Sequence, residues 1–227
     1  MRTILITGSK GIVGSVLRHG LGGKYRIREI DLPEDISHYE TLWAQMAGVE
    51  TVIHLARRFS PVDPIEQRMR IYPENVQIDA NVFMAVVKAE VKRLIVASSV
   101  HADNHRGPAM AGPLTAPGSY HPASPYGVFK LIEEEVGKVL SKQFGFEFVG
   151  VRFGGVTADN SVKRGEGQTA TWLSHEDLLG AIDACLSVEP MPGRSSVFYA
   201  VSDNADRIHD TTNPFGWKPR ESSADFM

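Results

Sequence analysis

The chain has one cysteine, Cys185, in 227 residues, so it can build neither a disulfide framework nor a cysteine-rich zinc site. No apolar run approaches the roughly 18 residues that a membrane-spanning helix needs. No hydrophobic leader is expected. Met1-Arg2 runs straight into Thr3-Ile4-Leu5-Ile6, which reads as core strand, and the expected compartment is the reducing cytoplasm. Excess positive charge is lacking too: 24 basic side chains face 27 acidic ones, a formal net charge of −3, so no field draws the chain to nucleic acid. With no internal repeat, low-complexity tract or linker, one domain over residues 1–227 is the economical organisation. What is present is ordinary globular composition, 42% hydrophobic and 22% charged, which argues against disorder.

Short apolar runs alternate with helix-like stretches, the pattern of βαβ units around a parallel sheet. Strands are expected over 3–6, 25–30, 51–55, 93–97, 146–151 and 197–201, the fourth running on into Ser98-Ser99. Helices are expected over 12–21, 41–48, 75–91, 124–144 and 174–186. Ser124-Pro125 supplies an N-cap and a residue tolerated in the first turn, and Gly145 a C-terminal stop. Ser174 with Asp177 has capping-box spacing. The stretch 102–123, rich in Pro, Gly and His, shows neither period, and a loop of that length in a compact domain is usually functional or mobile. The predicted class is α/β, a Rossmann-type doubly wound parallel sheet.

Thr7-Gly8-Ser9-Lys10-Gly11-Ile12-Val13-Gly14 follows the first strand and opens a helix. Gly8 permits a tight turn, Gly11 lets backbone approach a pyrophosphate, and Gly14 allows close packing of helix on sheet. The helix start offers N–H groups to the diphosphate. Asp31 ends the second strand, where a carboxylate accepts ribose hydroxyls and repels a 2′-phosphate, so NAD is favoured over NADP. Tyr126 and Lys130, four apart, share a helix face. A free phenol titrates near pH 10, and an ammonium held nearby favours its phenolate. Ser98-Ser99 lies where ligands bind, at the carboxyl edge of the sheet, and a hydroxyl there can hydrogen-bond a reacting oxygen.

On these residues, with Asp35-Ile36, Val52-Ile53-His54-Leu55-Ala56 and Asn75, nearly the whole chain resembles the short-chain dehydrogenase/reductase superfamily, in its extended NAD-dependent epimerase/dehydratase branch. The resemblance implies Tyr126 as general acid/base, Lys130 as its ammonium partner and a ribose contact, and Ser99, rather than Ser98, as the hydroxyl on the substrate oxygen. It places Asp35 and Ile36 beside adenine, Leu55 and Ala56 beside the cofactor, and Asn75 among the cofactor contacts. Within the branch, Ser98-Ser99-Val100-His101, Thr171-Trp172-Leu173-Ser174 and Tyr199-Ala200-Val201-Ser202-Asp203-Asn204 are similar to uronate dehydrogenases. That likeness implies a sugar or sugar-acid substrate touched by Ser99, His101 and Arg164. The chain departs from the group at Val100 and Gly155, and Gly165-Glu166-Gly167-Gln168 lacks the arginine that grips a sugar carboxylate, with Arg164 displaced nearby. Relatives also pair two long helices per subunit, which implies a homodimer through the helices at 75–91 and 124–144.

Only three residues separate Asp31 from Asp35, so the sheet is expected to lack a full third strand. Seventy-six residues follow Val151, too few to clasp a nucleotide-diphosphate handle, and 152–227 forms a small substrate-binding part. A simple dehydrogenase therefore ranks above an epimerase or dehydratase, and above an inactive NAD-binding regulatory protein. No metal is expected, because His101 and His105 lie in a loop with no third ligand spaced with them. Arg57-Arg58 can reach an anion or stand as surface arginines. His175-Glu176-Asp177 reads as helix capping, Glu133-Glu134-Glu135 as a solvated helix face, and Cys185 and Trp172 as core, with Trp172 also a candidate for the pocket wall.

Overall fold

The computed structural model describes residues 1–31, 38–58, 73–103, 113–116, 118, 120–163, 165 and 168–227. Asp35, Ile36, His105 and Arg164 lie outside the described residues. Six strands, β1 (Thr3–Thr7), β2 (Arg26–Ile30), β3 (Thr51–His54), β4 (Arg93–Ser99), β5 (Glu147–Phe153) and β6 (Ser195–Ala200), form one sheet in the order β2-β1-β3-β4-β5-β6. Every pairing is parallel. The helices are α1 (Ile12–Leu21), α2 (Tyr39–Gln45), α3 (Pro73–Lys88), α4 (Pro125–Phe144) and α5 (His175–Ser187).

The central strands are near-continuous runs of Val, Ile and Leu because both faces are covered. On one face Ile4, Ile6, Ile53, Ile95 and Val149 pack with Leu17 of α1 and Leu178 and Ile182 of α5. On the other, Leu5, Val52, Leu94 and Phe148 meet Leu42 of α2 and Ile78, Val82 and Val86 of α3. Alternation of side chains along each strand assigns them to these two cores.

The chain leaves β1 in one direction to β2 and returns past it to β3, so β1 and β3 flank the point where strand order reverses, the place where such sheets bind ligands. Among the described residues no strand lies outside β2, in agreement with the expected loss of the third strand. Instead α2 follows and packs against α3.

Helix ends follow local chemistry. Ser124 Oγ accepts from Gly127 N, Pro125 begins α4, and Gly145 closes it at φ +89. α3 stops at Lys88, short of the expected 91, where Glu90 turns left-handed at φ +53. The capping box at α5 is only half formed. Ser174 Oγ accepts from Asp177 N, but the Asp177 carboxylate turns away to accept from Ser202 Oγ and from the backbone N–H groups of Arg220 and Glu221. It ties the C-terminal segment to the helix start instead of closing the cap.

Candidate active site

The glycine-rich turn has the conformation its sequence demands. Gly8 sits at φ +74, and a Cβ there would stand 2.8 Å from Ala56 N and Cα, so the turn and the loop after β3 pass each other with no side chain between. A Cβ on Gly14 would stand 2.2 Å from Gly8 O, which makes the close helix–turn contact a glycine property. Ile12 opens α1 at the surface and Val13 turns to the core. Asp31 Oδ2 accepts from Ser9 Oγ at 2.7 Å and Lys10 N at 3.0 Å, and its Oδ1 accepts from no described residue. A bare backbone cradle beside a carboxylate with an unused oxygen fits the pyrophosphate and adenosine ribose of a dinucleotide.

The loop after β3 is held from both sides. Leu55 N and Ala56 N donate to Thr7 Oγ1, each at 3.2 Å. Buried Asn75 accepts from Arg58 N at 2.7 Å and donates to Arg58 O at 3.1 Å. Asn75 therefore shapes the loop that faces the cofactor cradle, and it also lines the cleft beyond.

That cleft, of about 390 Å³, opens at the carboxyl edge of the sheet. Ser99, His101 and Tyr126 line it, with Arg57 and Arg58, and Gly154 to Thr157 with Lys163, Gln168, Thr171 and Trp172 close the far side. Ser99 Oγ accepts from His101 N and faces the cleft, whereas Ser98 Oγ points into the protein and donates to Glu134. His101 stands edge-on to the Tyr126 ring at 5.6 Å. Trp172 is both core and cleft wall.

Lys130 is buried, and its ammonium donates to Ala97 O and, at 2.7 Å, to Glu133 Oε2. It makes no hydrogen bond to Tyr126 among the described residues. The acidic run at 133–135 is a correction to the sequence reading, because only Glu135 is solvated. Glu134 is buried in a two-toothed pair with Arg152 (2.9 and 2.8 Å), while Glu133 is buried between Lys130 and Arg57. Desolvation would make either carboxylate costly without its partner.

Glu133 belongs to a network the sequence did not announce. Thr7 Oγ1 already accepts two backbone N–H groups, so its own hydroxyl donates to His54 Nδ1 at 2.7 Å. His54 Nε2–H then donates to Asp79 Oδ1 at 3.1 Å. Arg57 Nη1 lies 3.7 Å from Asp79 Oδ2 and 3.3 Å from Glu133 Oε2. Burial and the Asp79 charge push the Glu133 carboxyl up against the pull of Lys130 and Arg57. Burial acts the same way on Asp79, but the hydrogen bond from His54 and the charges of Arg57 and Lys130 outweigh it and leave that carboxyl below its ordinary value. The available signals were Lys130–Glu133 at helical ion-pair spacing and Asp79 one turn past Asn75 on α3.

Comparison with known proteins identifies the family. The family model for the NAD dependent epimerase/dehydratase family matches residues 4–175. The chain is similar to L-arabinose 1-dehydrogenase (NAD(P)(+)) of Haloferax volcanii, at 27% identity over 99% of this chain and 98% of that protein. It is similar to uronate dehydrogenase of Pseudomonas putida, at 29% identity over 98% of this chain and 85% of that one. A solved structure of a mutated uronate dehydrogenase superposes with a TM-score of 0.81 at 25% identity, over 99% of this chain and 83% of that chain. The chain belongs to the NAD-dependent epimerase/dehydratase family, and with it to the enzymes that use NAD.

Proposed function

We propose that the protein is a dehydrogenase that oxidises a hydroxyl of a sugar or sugar acid with NAD. The observation that carries this reading is a single cleft, beside the glycine-rich cradle, lined by both the Ser99 hydroxyl and the Tyr126 phenol. NAD, when bound, supplies the hydride acceptor. The glycine-rich turn, from Gly8 to Gly14, would hold its pyrophosphate on backbone N–H groups, and Asp31 its adenosine ribose. Tyr126 as phenolate takes the proton from the substrate hydroxyl, and Ser99 hydrogen-bonds the same oxygen as it becomes a carbonyl. Buried Lys130 places one positive charge on the tyrosine's helix and would contact the nicotinamide ribose.

Relatives that act on a neutral sugar and on uronates leave both classes in view. The cleft favours the acid: Arg58 and Lys163 stand at its wall, no carboxylate lines it among the described residues, and Lys163 has no partner there. A substrate carboxylate would be drawn to that side, with His101 and Arg164 as further substrate contacts. We also propose that one domain carries the activity, that it works in the cytoplasm, where a lone buried thiol needs no oxidant, and that two copies pair through α3 and α4.

The test is NADH formation with a panel of uronic acids, aldoses and simple alcohols, with Tyr126→Phe in parallel. Turnover on a sugar or its acid is expected, reduced at least roughly a hundredfold in Tyr126→Phe, as for loss of a general base. Calorimetric NAD binding without turnover on any compound, or an active Tyr126→Phe, would overturn the reading.

A further inference from the structure

His54, Asp79 and Glu133 bring one imidazole nitrogen and two carboxylates within 4.8 Å of one another, as a metal site does. Here the carboxylates are already engaged by two fixed cations, since Arg57 lies against both and Lys130 is bonded to Glu133. Two positive and two negative side chains balance, and a divalent ion would have to displace both cations. The cluster serves something other than metal binding.

One member of the cluster leaves it. The Arg57 guanidinium lies 5.7 Å from the centre of the Tyr126 ring, over its face, and lines the cleft. It is mostly buried, with 19% of its side chain exposed, and its two carboxylates hold it there. Asp79 is in turn held by His54, whose ring is oriented by Thr7 at the glycine-rich turn. Pulling Arg57 onto an anionic substrate would weaken its contacts with Asp79 and with buried Glu133. The sequence offered it as an anion ligand or a surface residue, and the structure places it mostly buried on the cleft wall. Lys130, meanwhile, spends its ammonium on Ala97 O and Glu133.

We infer that Arg57 is a positioning residue for the reaction: clamped by Asp79 and Glu133, it presents a second cation to the face of Tyr126, holding the ring in the cleft and favouring its phenolate. A cation over an aromatic face is attracted to the ring's negative face, more strongly when water is excluded, and a negatively charged ring strengthens that attraction. Among the described residues, Arg57 from the loop after β3 and His101 from the turn after β4 stand against the Tyr126 ring, with Asp79 of α3 and Glu133 beside Arg57, and Lys130 bonded to Glu133 on the tyrosine's own helix. Arg58 and Lys163 stand farther along the cleft wall. Among the described residues, Arg57 is the cation that lies over the ring itself.

The inference rests on Tyr126 being the acid/base, so Tyr126→Phe is run beside each variant. Arg57→Gln is expected to move the pH–rate profile of kcat upward by about one pH unit, the displacement a desolvated cation–ring contact supports. Near neutral pH kcat falls about tenfold, while KM for the sugar stays within about twofold. Phenolate absorbance assigned to Tyr126, by difference from Tyr126→Phe, moves upward by the same amount without any substrate present. Arg57→Lys recovers part of both displacements. If Arg57→Gln does not fold, Arg57→Gln/Asp79→Asn removes one charge of each sign, leaves the Lys130–Glu133 pair, and is expected to show a smaller displacement in the same direction. A folded variant with unchanged profile and absorbance, even one with a lowered melting temperature, overturns the inference and reduces Arg57 to a structural ion pair. Turnover retained by Tyr126→Phe overturns the reading of the site instead.

Discussion

Gly127, next to Tyr126, is the residue on which the geometry of the site turns. A Cβ there would stand 1.9 Å from His101 O, so the start of α4 can press against the turn after β4 only with glycine at this position. That contact brings Tyr126 across from Ser99. Gly127→Ala must push the two apart, and a misplacement of about an ångström is expected to cost roughly a hundredfold in kcat. Steady-state kinetics with a check of NAD affinity would separate this from loss of the cofactor cradle. Asp79 carries the clearest pH prediction. Its folded-state carboxyl lies below the ordinary value, so the native state binds fewer protons than the unfolded chain as pH falls through the carboxylate range. The stability it contributes is present above about pH 4 and lost below it. Denaturation at a series of pH values should show a shallower acid limb in Asp79→Asn. An unchanged limb would assign acid sensitivity elsewhere. The glycine-rich turn, and the helix that carries Tyr126 and Lys130 on one face, could be read from the sequence because local spacing carries them. Arg57, Asp79 and Glu133 could not be assigned, because their roles depend on three separate elements meeting.

α4 shows the limit of pattern reading most clearly. Its span and both caps follow from Ser124, Pro125 and Gly145, yet its faces are reversed from the usual arrangement. Lys130, Glu133, Glu134, Gly137 and Ser141 turn inward, while Val128, Ile132, Val136 and Val139 are exposed. A run of three glutamates reads as solvated unless Arg152, on β5, is known to stand beneath it. The half-formed box at α5 makes a similar point. Asp177 at capping spacing is instead the post to which the C-terminal segment is tied. Asp177→Ala would leave Ser202 Oγ and two backbone N–H groups without their acceptor and is expected to cost about 2–3 kcal/mol. Urea denaturation would measure the loss, and faster proteolysis near the C-terminus would locate it. A simple capping role would cost about 1 kcal/mol and leave the tail protected.

The outward apolar stripe of α4 continues onto α3 at Val76 and Met84, which are 50% and 47% exposed. A second copy laid across both helices would cover it, and sedimentation should therefore report a dimer. Ile132→Glu, which puts a charge in the middle of the stripe, is expected to give folded monomers, and a monomeric parent protein would remove the proposal. The molecule as a whole divides along a physical line. The alternation of apolar runs, the glycine turn, the shortened passage after Asp31 and the helix caps are local features, so the order of residues sufficed to specify a doubly wound parallel sheet, with no strand beyond β2 among the described residues, and to point to its cofactor edge. Which charges are buried, which arginine faces the tyrosine and which serine faces the cleft depend on residues far apart in the chain. Those choices are made when strands and helices come together, because a charge enters the interior only where a partner from another element meets it.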